Sequence, residues 1–169
     1  NKVLIIGNPG TGKTTLSKQL AYRWAQGEWG KEFKTVYVLP VRRLSGSDYD
    51  NGGYRREATL ATAIVNNCFK PLTEESAYMA LRSHVGKELK KPTTLVILDG
   101  MDERAGASEE ILEQAEHGGA PHKLLMLSRS YNINTERHIA DIEVELRGLS
   151  SEQQRRYVKK QLMNPEQSD

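Results

Sequence analysis

Gly7-Asn8-Pro9-Gly10-Thr11-Gly12-Lys13-Thr14 sets three glycines, a lysine and a hydroxyl together, directly after the apolar run Val3 to Ile6. Glycines let backbone N–H groups close around an anion with no side chain in the way. A helix opening at Lys13 adds unpaired N–H groups and the positive end of its dipole. The ligand suited to such a cradle is a polyphosphate. Lys13 is expected to neutralise β- and γ-phosphate charge, and the Thr14 hydroxyl to ligate Mg²⁺. The spacing is G-x-x-x-x-G-K-[ST], which arises in about one in two hundred random chains of this length. Gly7, Asn8, Pro9, Gly10, Thr11, Gly12, Lys13, Thr14 and Thr15 are therefore the expected nucleotide contacts.

A second segment, Leu95-Val96-Ile97-Leu98-Asp99-Gly100-Met101-Asp102-Glu103, ends an apolar run in carboxylates. An unpaired carboxylate next to a buried strand is costly, so Asp99 reads as a Mg²⁺ partner, directly or through a metal-bound water. Gly100 permits a tight turn that brings Asp102 and Glu103 back toward a γ-phosphate. Either can orient or deprotonate an attacking water, with a slight preference for Glu103. The competing reading makes both ordinary helix-start carboxylates. A third segment, Leu124-Leu125-Met126-Leu127-Ser128-Arg129-Ser130, ends in a hydroxyl and a guanidinium. The planar fork of Arg129 suits paired phosphate oxygens, and pairing with Asp99 or Asp102 is its alternative.

These groups meet only if the intervening chain brings the strand ends together. Short apolar runs at Val3 to Ile6, Val36 to Leu39, Leu95 to Leu98, Leu124 to Leu127 and Ile142 to Leu146 alternate with helical stretches. That alternation predicts an α/β protein with a mostly parallel sheet. The last run alternates with Glu143 and Glu145 and is expected half exposed at an edge. Helices are expected over Lys13 to Gln26, Tyr54 to Cys68, residues 74–90 and Ser108 to His117. A capping box at Ser150 to Gln153 opens a last one. Ser45 to Gly53 reads as a mobile loop and Glu116 to Pro121 as a turn.

Composition bounds the rest. The 169 residues suit one domain, and 24 Lys+Arg against 22 Asp+Glu leave no general nucleic-acid footprint. No run approaches the roughly 20 apolar residues needed to span a bilayer, so no membrane partner is expected. The single cysteine, Cys68, excludes an internal disulfide, fits a reducing, cytoplasmic compartment and is expected in the core. The four histidines lack metal-site spacing and read as solvated or loop residues. Trp24 and Trp29 read as core and rim packing, and Arg42-Arg43 and Arg55-Arg56 as a solvated basic surface. The missing initiator Met points to a piece of a longer protein.

Taken together, GNPGTGKTTL (Gly7 to Leu16), LVILDGMDE (Leu95 to Glu103) and LLMLSRS (Leu124 to Ser130) resemble the NACHT family of signal-transduction ATPases related to AAA+ proteins. The acidic pair displaced beyond Asp99-Gly100 is the most telling feature. Trp24 to Gly27 and Leu146 to Ser150 are also similar to family segments. The resemblance implies a P-loop NTPase sandwich: a five-stranded parallel sheet in order 5-1-4-3-2 with helices on both faces. It implies an NTPase core over residues 1–149, with residues 150–169 opening a helical subdomain. It implies a switch held closed by ADP and opened by ATP, with slow hydrolysis, self-association and contacts to other domains of the same chain. A small-molecule phosphotransferase, with a lid at Arg42, Arg43, Arg55 and Arg56, and a module in which nucleotide is only structural would use the same loop. No guanine-reading N-K-x-D run is present.

Overall fold

Alternate residues of the strands divide the core into two apolar layers. Leu4, Tyr37, Leu39, Val96, Leu98, Leu124 and Met126 face one side. Val3, Ile5, Val36, Val38, Leu95, Ile97, Leu125 and Leu127 face the other. A sheet apolar on both faces must be covered on both, and a parallel sheet with crossover helices meets that need. The computed structural model describes residues 2–29, 32–44, 58–117, 121–130 and 134–163. In chain order these give β1 (Lys2–Ile6), α1 (Lys13–Ala25), β2 (Thr35–Pro40), α2 (Leu60–Cys68), α3 (Glu75–Glu88) and β3 (Thr94–Asp99). There follow α4 (Glu109–His117), β4 (Lys123–Ser128), α5 (Asn134–Ile139), β5 (Ile142–Glu145) and α6 (Ser151–Met163). Short 3-10 turns at Val41–Arg43 and Met101–Gly106 follow β2 and β3.

All strands are parallel, and their order is β2-β3-β4-β1-β5. This is the expected 5-1-4-3-2. Helix α1 covers one face with Leu16 and Leu20, joined by Trp29 and Phe33. Helices α2, α3 and α4 cover the other with Leu60, Ile64, Tyr78, Val85, Ile111 and Leu112. Leu4, Leu39, Ile97, Leu98, Met126 and Leu127 are fully buried. Burying each such side chain contributes roughly 1.5–3 kcal/mol. Trp24 donates its indole N–H to the Phe33 carbonyl at 2.9 Å, and the Trp29 and Phe33 rings lie 5.8 Å apart.

Several expectations need correction. Helix α2 begins at Leu60, because Thr59 adopts an extended backbone and caps it, its Oγ1 accepting the Thr62 N–H at 3.2 Å. Residues 54–57 of the predicted helix, the Ser45 to Gly53 loop and Arg55-Arg56 lie outside the described residues. The edge strand β5 is more exposed than its alternation predicts: Ile142 is 53% and Val144 45% exposed. His122 is buried rather than solvated. Its ring nitrogens each lie 3.2 Å from a carbonyl, Nδ1 from Leu89 and Nε2 from Ala115, so the ring N–H finds an acceptor inside in either tautomer. Helix α5 had no periodic apolar signal. The capping box is present: Ser150 N–H donates to Gln153 Oε1 at 2.8 Å, and Gln153 N–H to Ser150 Oγ at 3.2 Å.

Cys68 is exposed at the end of α2 rather than in the core, with its thiol against the Val38 carbonyl at 3.6 Å. The residue reaches solvent, yet burial around the sulfur still pushes the thiol up to about 11. At pH 8 that leaves a thiolate fraction about 100-fold smaller than an ordinary cysteine has. Alkylation by iodoacetamide should therefore be slow at pH 8 and accelerate only as pH climbs toward 11. A rate that already levels off near pH 9 contradicts this environment.

Candidate functional site

Parallel register puts the carboxyl ends of the central strands at one rim. Ile6 of β1 pairs with Ser128 of β4, and Asp99 of β3 pairs with Leu127. In open α/β sheets this rim, where strand order reverses, is where ligands sit. The chain leaves β1 at Gly7, whose N–H donates to the Ser128 carbonyl at 3.2 Å. Only glycine fits there: a Cβ would lie 2.7 Å from both the Leu146 carbonyl oxygen and Thr11 Oγ1. Gly10 (φ 79°) and Gly12 (φ 94°) adopt left-handed backbone, which turns the loop into α1. Thr11 closes the loop, its N–H donating to the Asn8 carbonyl at 3.2 Å and its hydroxyl at 2.9 Å. Ser130 holds Asn8 from β4, hydroxyl to Oδ1 at 3.0 Å.

Helix α1 starts without a side-chain cap. Its first-turn N–H groups have no intrahelical acceptor, so they point their donors and the helix dipole at the rim. Lys13 Nζ donates to the carbonyls of Gly7 at 2.7 Å and Asn8 at 3.0 Å, which holds the ammonium over the loop. The buried Ser17, one turn on, donates to the Thr14 carbonyl at 2.9 Å and reaches Asp99 Oδ2 at 3.5 Å. Ser17 thus joins α1 to β3. The sequence reading missed it, although it stands one turn after Lys13.

Gly100 takes left-handed backbone (φ 88°) and donates its N–H to the Leu127 carbonyl at 3.0 Å. The chain then folds back through Met101–Gly106, as the glycine implied. Here the two candidate carboxylates part company. Asp102, its side chain 7% exposed, is held on both oxygens by Arg129: the backbone N–H reaches Oδ1 and Nε reaches Oδ2, each at 3.1 Å. Glu103 has no hydrogen bond or ion pair to its carboxylate among the described residues, and the carboxylate folds close to Gly100. Arg104 turns the other way, onto Glu109 and the fully buried Glu116. Burial opposes the Arg104 charge, but its hydrogen bonds to Glu109 and Glu116 outweigh it and raise its pKa further.

One cavity of about 340 Å³ is lined by Pro9, Gly10, Gly12, Lys13, Thr14, Thr15, Asp99, Gly100, Asp102, Glu103 and Arg129. The three segments that could do chemistry are thus contiguous in space. Of the expected contacts, Gly7, Asn8 and Thr11 do not line this cavity. The donors suited to a divalent cation are the hard oxygens of Thr14 and Asp99, and Mg²⁺ fits that set. A second cavity, of about 290 Å³, opens at the amino ends of the strands between Trp29, Phe33, Leu95 and Leu125. It is mostly apolar, with Glu32 and Lys123 on its wall, and lacks the loop, the strand-end carboxylates and the helix terminus. Ser128 Oγ is buried at this rim with no hydrogen-bond partner among the described residues. Arg42 and Arg43 are exposed, as a solvated surface would be. No helix among the described residues is long and apolar enough to cross a membrane.

The family model of the NACHT domain matches residues 1–165. Among curated proteins the chain is similar to "Protein NLRC3" of Mus musculus and to "NLR family CARD domain-containing protein 3" of Homo sapiens. It is 31% identical to each over 100 residues. Those alignments take in 59% of this chain and 8% of each relative, so the chain spans a small part of their length.

The close approach at Gly7 gives a direct check. Gly7→Ala should lower stability by about 1–3 kcal/mol, because backbone rather than a flexible side chain must yield. Urea denaturation measures it, and an unchanged midpoint contradicts the packing described.

Proposed function

The chain belongs to the NACHT family, and from that premise we propose that it is a nucleotide-operated switch. It binds Mg-ATP or ADP at the strand-end rim, hydrolyses ATP slowly, and couples the bound state to opening and self-association in signalling. The family and the P-loop NTPase-type fold carry the general statement. The finer one rests on a single observation: Lys13, Thr14, Asp99, Glu103 and Arg129 line one cavity at the start of α1.

In this reading the backbone N–H groups of the loop and of the α1 first turn bind the α- and β-phosphate oxygens. The Lys13 ammonium exchanges its carbonyl partners for β- and γ-phosphate oxygens. Thr14 and Asp99 would hold Mg²⁺, which would supply charge neutralisation to the phosphates. Glu103, the carboxylate without a partner, accepts a proton from the attacking water. The water oxygen bonds to the γ-phosphorus as the bond to the β–γ bridging oxygen breaks, leaving ADP and phosphate. Asp102 does not compete for that role, because Arg129 engages both its oxygens. It holds Arg129 where the guanidinium can meet the γ-phosphate.

Slow turnover follows if charge stabilisation is completed by a group supplied from elsewhere, as is common in phosphoryl transfer. Residues 1–149 would form the NTPase core, and residues 150–169 the opening of a helical subdomain that works with other domains of the same chain. The exposed Leu149, Tyr157 and Val158 support that division. The single thiol supports a cytoplasmic setting.

Two measurements test the reading. Lys13→Ala should weaken ADP binding about 10- to 100-fold in calorimetry, the worth of charge-assisted hydrogen bonds; unchanged affinity contradicts it. Glu103→Gln should slow hydrolysis about 10²- to 10⁴-fold while leaving ADP affinity near wild type. Asp102→Asn giving that phenotype instead would reassign the base.

A further inference from the structure

The turn that carries Asp102 and Glu103 leaves β3 through a left-handed glycine, so the strand does not by itself fix its direction. Two anchors do. At Asp102 the turn is tied to the end of β4 by Arg129. At Arg104 it is tied to α4: Nη1 donates to Glu116 Oε1 at 2.8 Å, Nη2 to Glu116 Oε2 at 3.3 Å, and Nε to Glu109 Oε2 at 3.4 Å. Glu103 lies between the anchors, with no partner of its own to hold it among the described residues.

We propose that Arg104 is a positioning residue: by clamping the Met101–Gly106 turn to α4 through Glu116, it fixes Glu103 over the phosphate cavity. The inference rests on the reading of Glu103 as the group that activates water. The Glu116 side chain is fully buried, and a carboxylate there is tolerated only while paired. Swinging Arg104 away would cost the buried Glu116 two hydrogen bonds, which makes the anchor stiff. The fork geometry also sets direction, because two parallel N–H bonds hold the guanidinium plane, and with it the turn, in one orientation. Arg104 is absent from the cavity wall, so its influence on chemistry passes through Glu103 and leaves phosphate contacts alone.

The test is single-turnover ATP hydrolysis by the full-length polypeptide, with ADP affinity from calorimetry and stability from thermal melting. The variants are Arg104→Met, Arg104→Lys, Glu116→Gln, the double Arg104→Met/Glu116→Met, and Glu103→Gln as reference. Arg104→Met and Glu116→Gln should slow turnover about 10- to 100-fold, the effect of a small misplacement of a reacting group. ADP affinity should stay within about twofold, since no phosphate contact is lost. Arg104→Lys should recover only part of the rate, because one ammonium cannot replace the fork. The double variant removes both charges of the pair and should regain stability while remaining slow. Turnover that returns together with stability in the double variant, or wild-type turnover in Arg104→Met, overturns the proposal. Glu103→Gln separates the two failures. Normal hydrolysis there overturns the water-activation reading itself; slow hydrolysis there beside a normal Arg104→Met overturns only the clamp.

Discussion

The register of β1 against β4, and of β4 against β3, is the constraint from which the rest follows. It aligns Ile6, Ser128 and Asp99 so that three chain segments leave the sheet at one level. A slip of one residue in either ladder would turn every side chain of that strand to the opposite face, so that Leu, Ile and Met fitted to one apolar layer would have to pack in the other. The two apolar layers thus protect the geometry of the rim. Stability and site geometry have the same source.

Upon that rim the chain sets charges of both signs in a fixed arrangement. Positive potential comes from Lys13, Arg129 and the uncapped start of α1; negative charge comes from Asp99, Asp102 and Glu103. Asp102 and Arg129 satisfy each other, and Lys13 rests on two carbonyls. These contacts give the partly buried groups partners and keep them near where a polyphosphate would need them. In the proposed account a nucleotide exchanges these internal partners for its own oxygens, so binding re-partners side chains already in place.

Much of this was legible in the sequence because the signals are local. Gly7 to Thr14 is contiguous, and its glycines are needed for backbone reasons that hold within a few residues. The continuous apolar runs of β1, β3 and β4 announced buried strands. Strand order was not legible from spacing, since it depends on which helix crosses which face; it came through family resemblance. Cys68 lay in an apolar stretch but falls at the last residue of α2, where the helix turns it outward. His122 looked solvated because nothing nearby in sequence hints at the carbonyls of Leu89 and Ala115. Arg104 with Glu116, and Ser17 with Asp99, are partners across 12 and 82 residues that only the packed fold unites. The division of labour between Asp102 and Glu103, neighbours of like charge, likewise required the Arg129 side chain in place.

The central claim is that one rim grips a polyphosphate and its metal, and a crystal of the protein grown with Mn²⁺ and ADP tests it most directly. Anomalous density should place the manganese between Thr14 and Asp99, with the β-phosphate at the first turn of α1 and against Lys13. Manganese and nucleotide bound elsewhere, with Thr14 and Asp99 free of metal, would contradict the account.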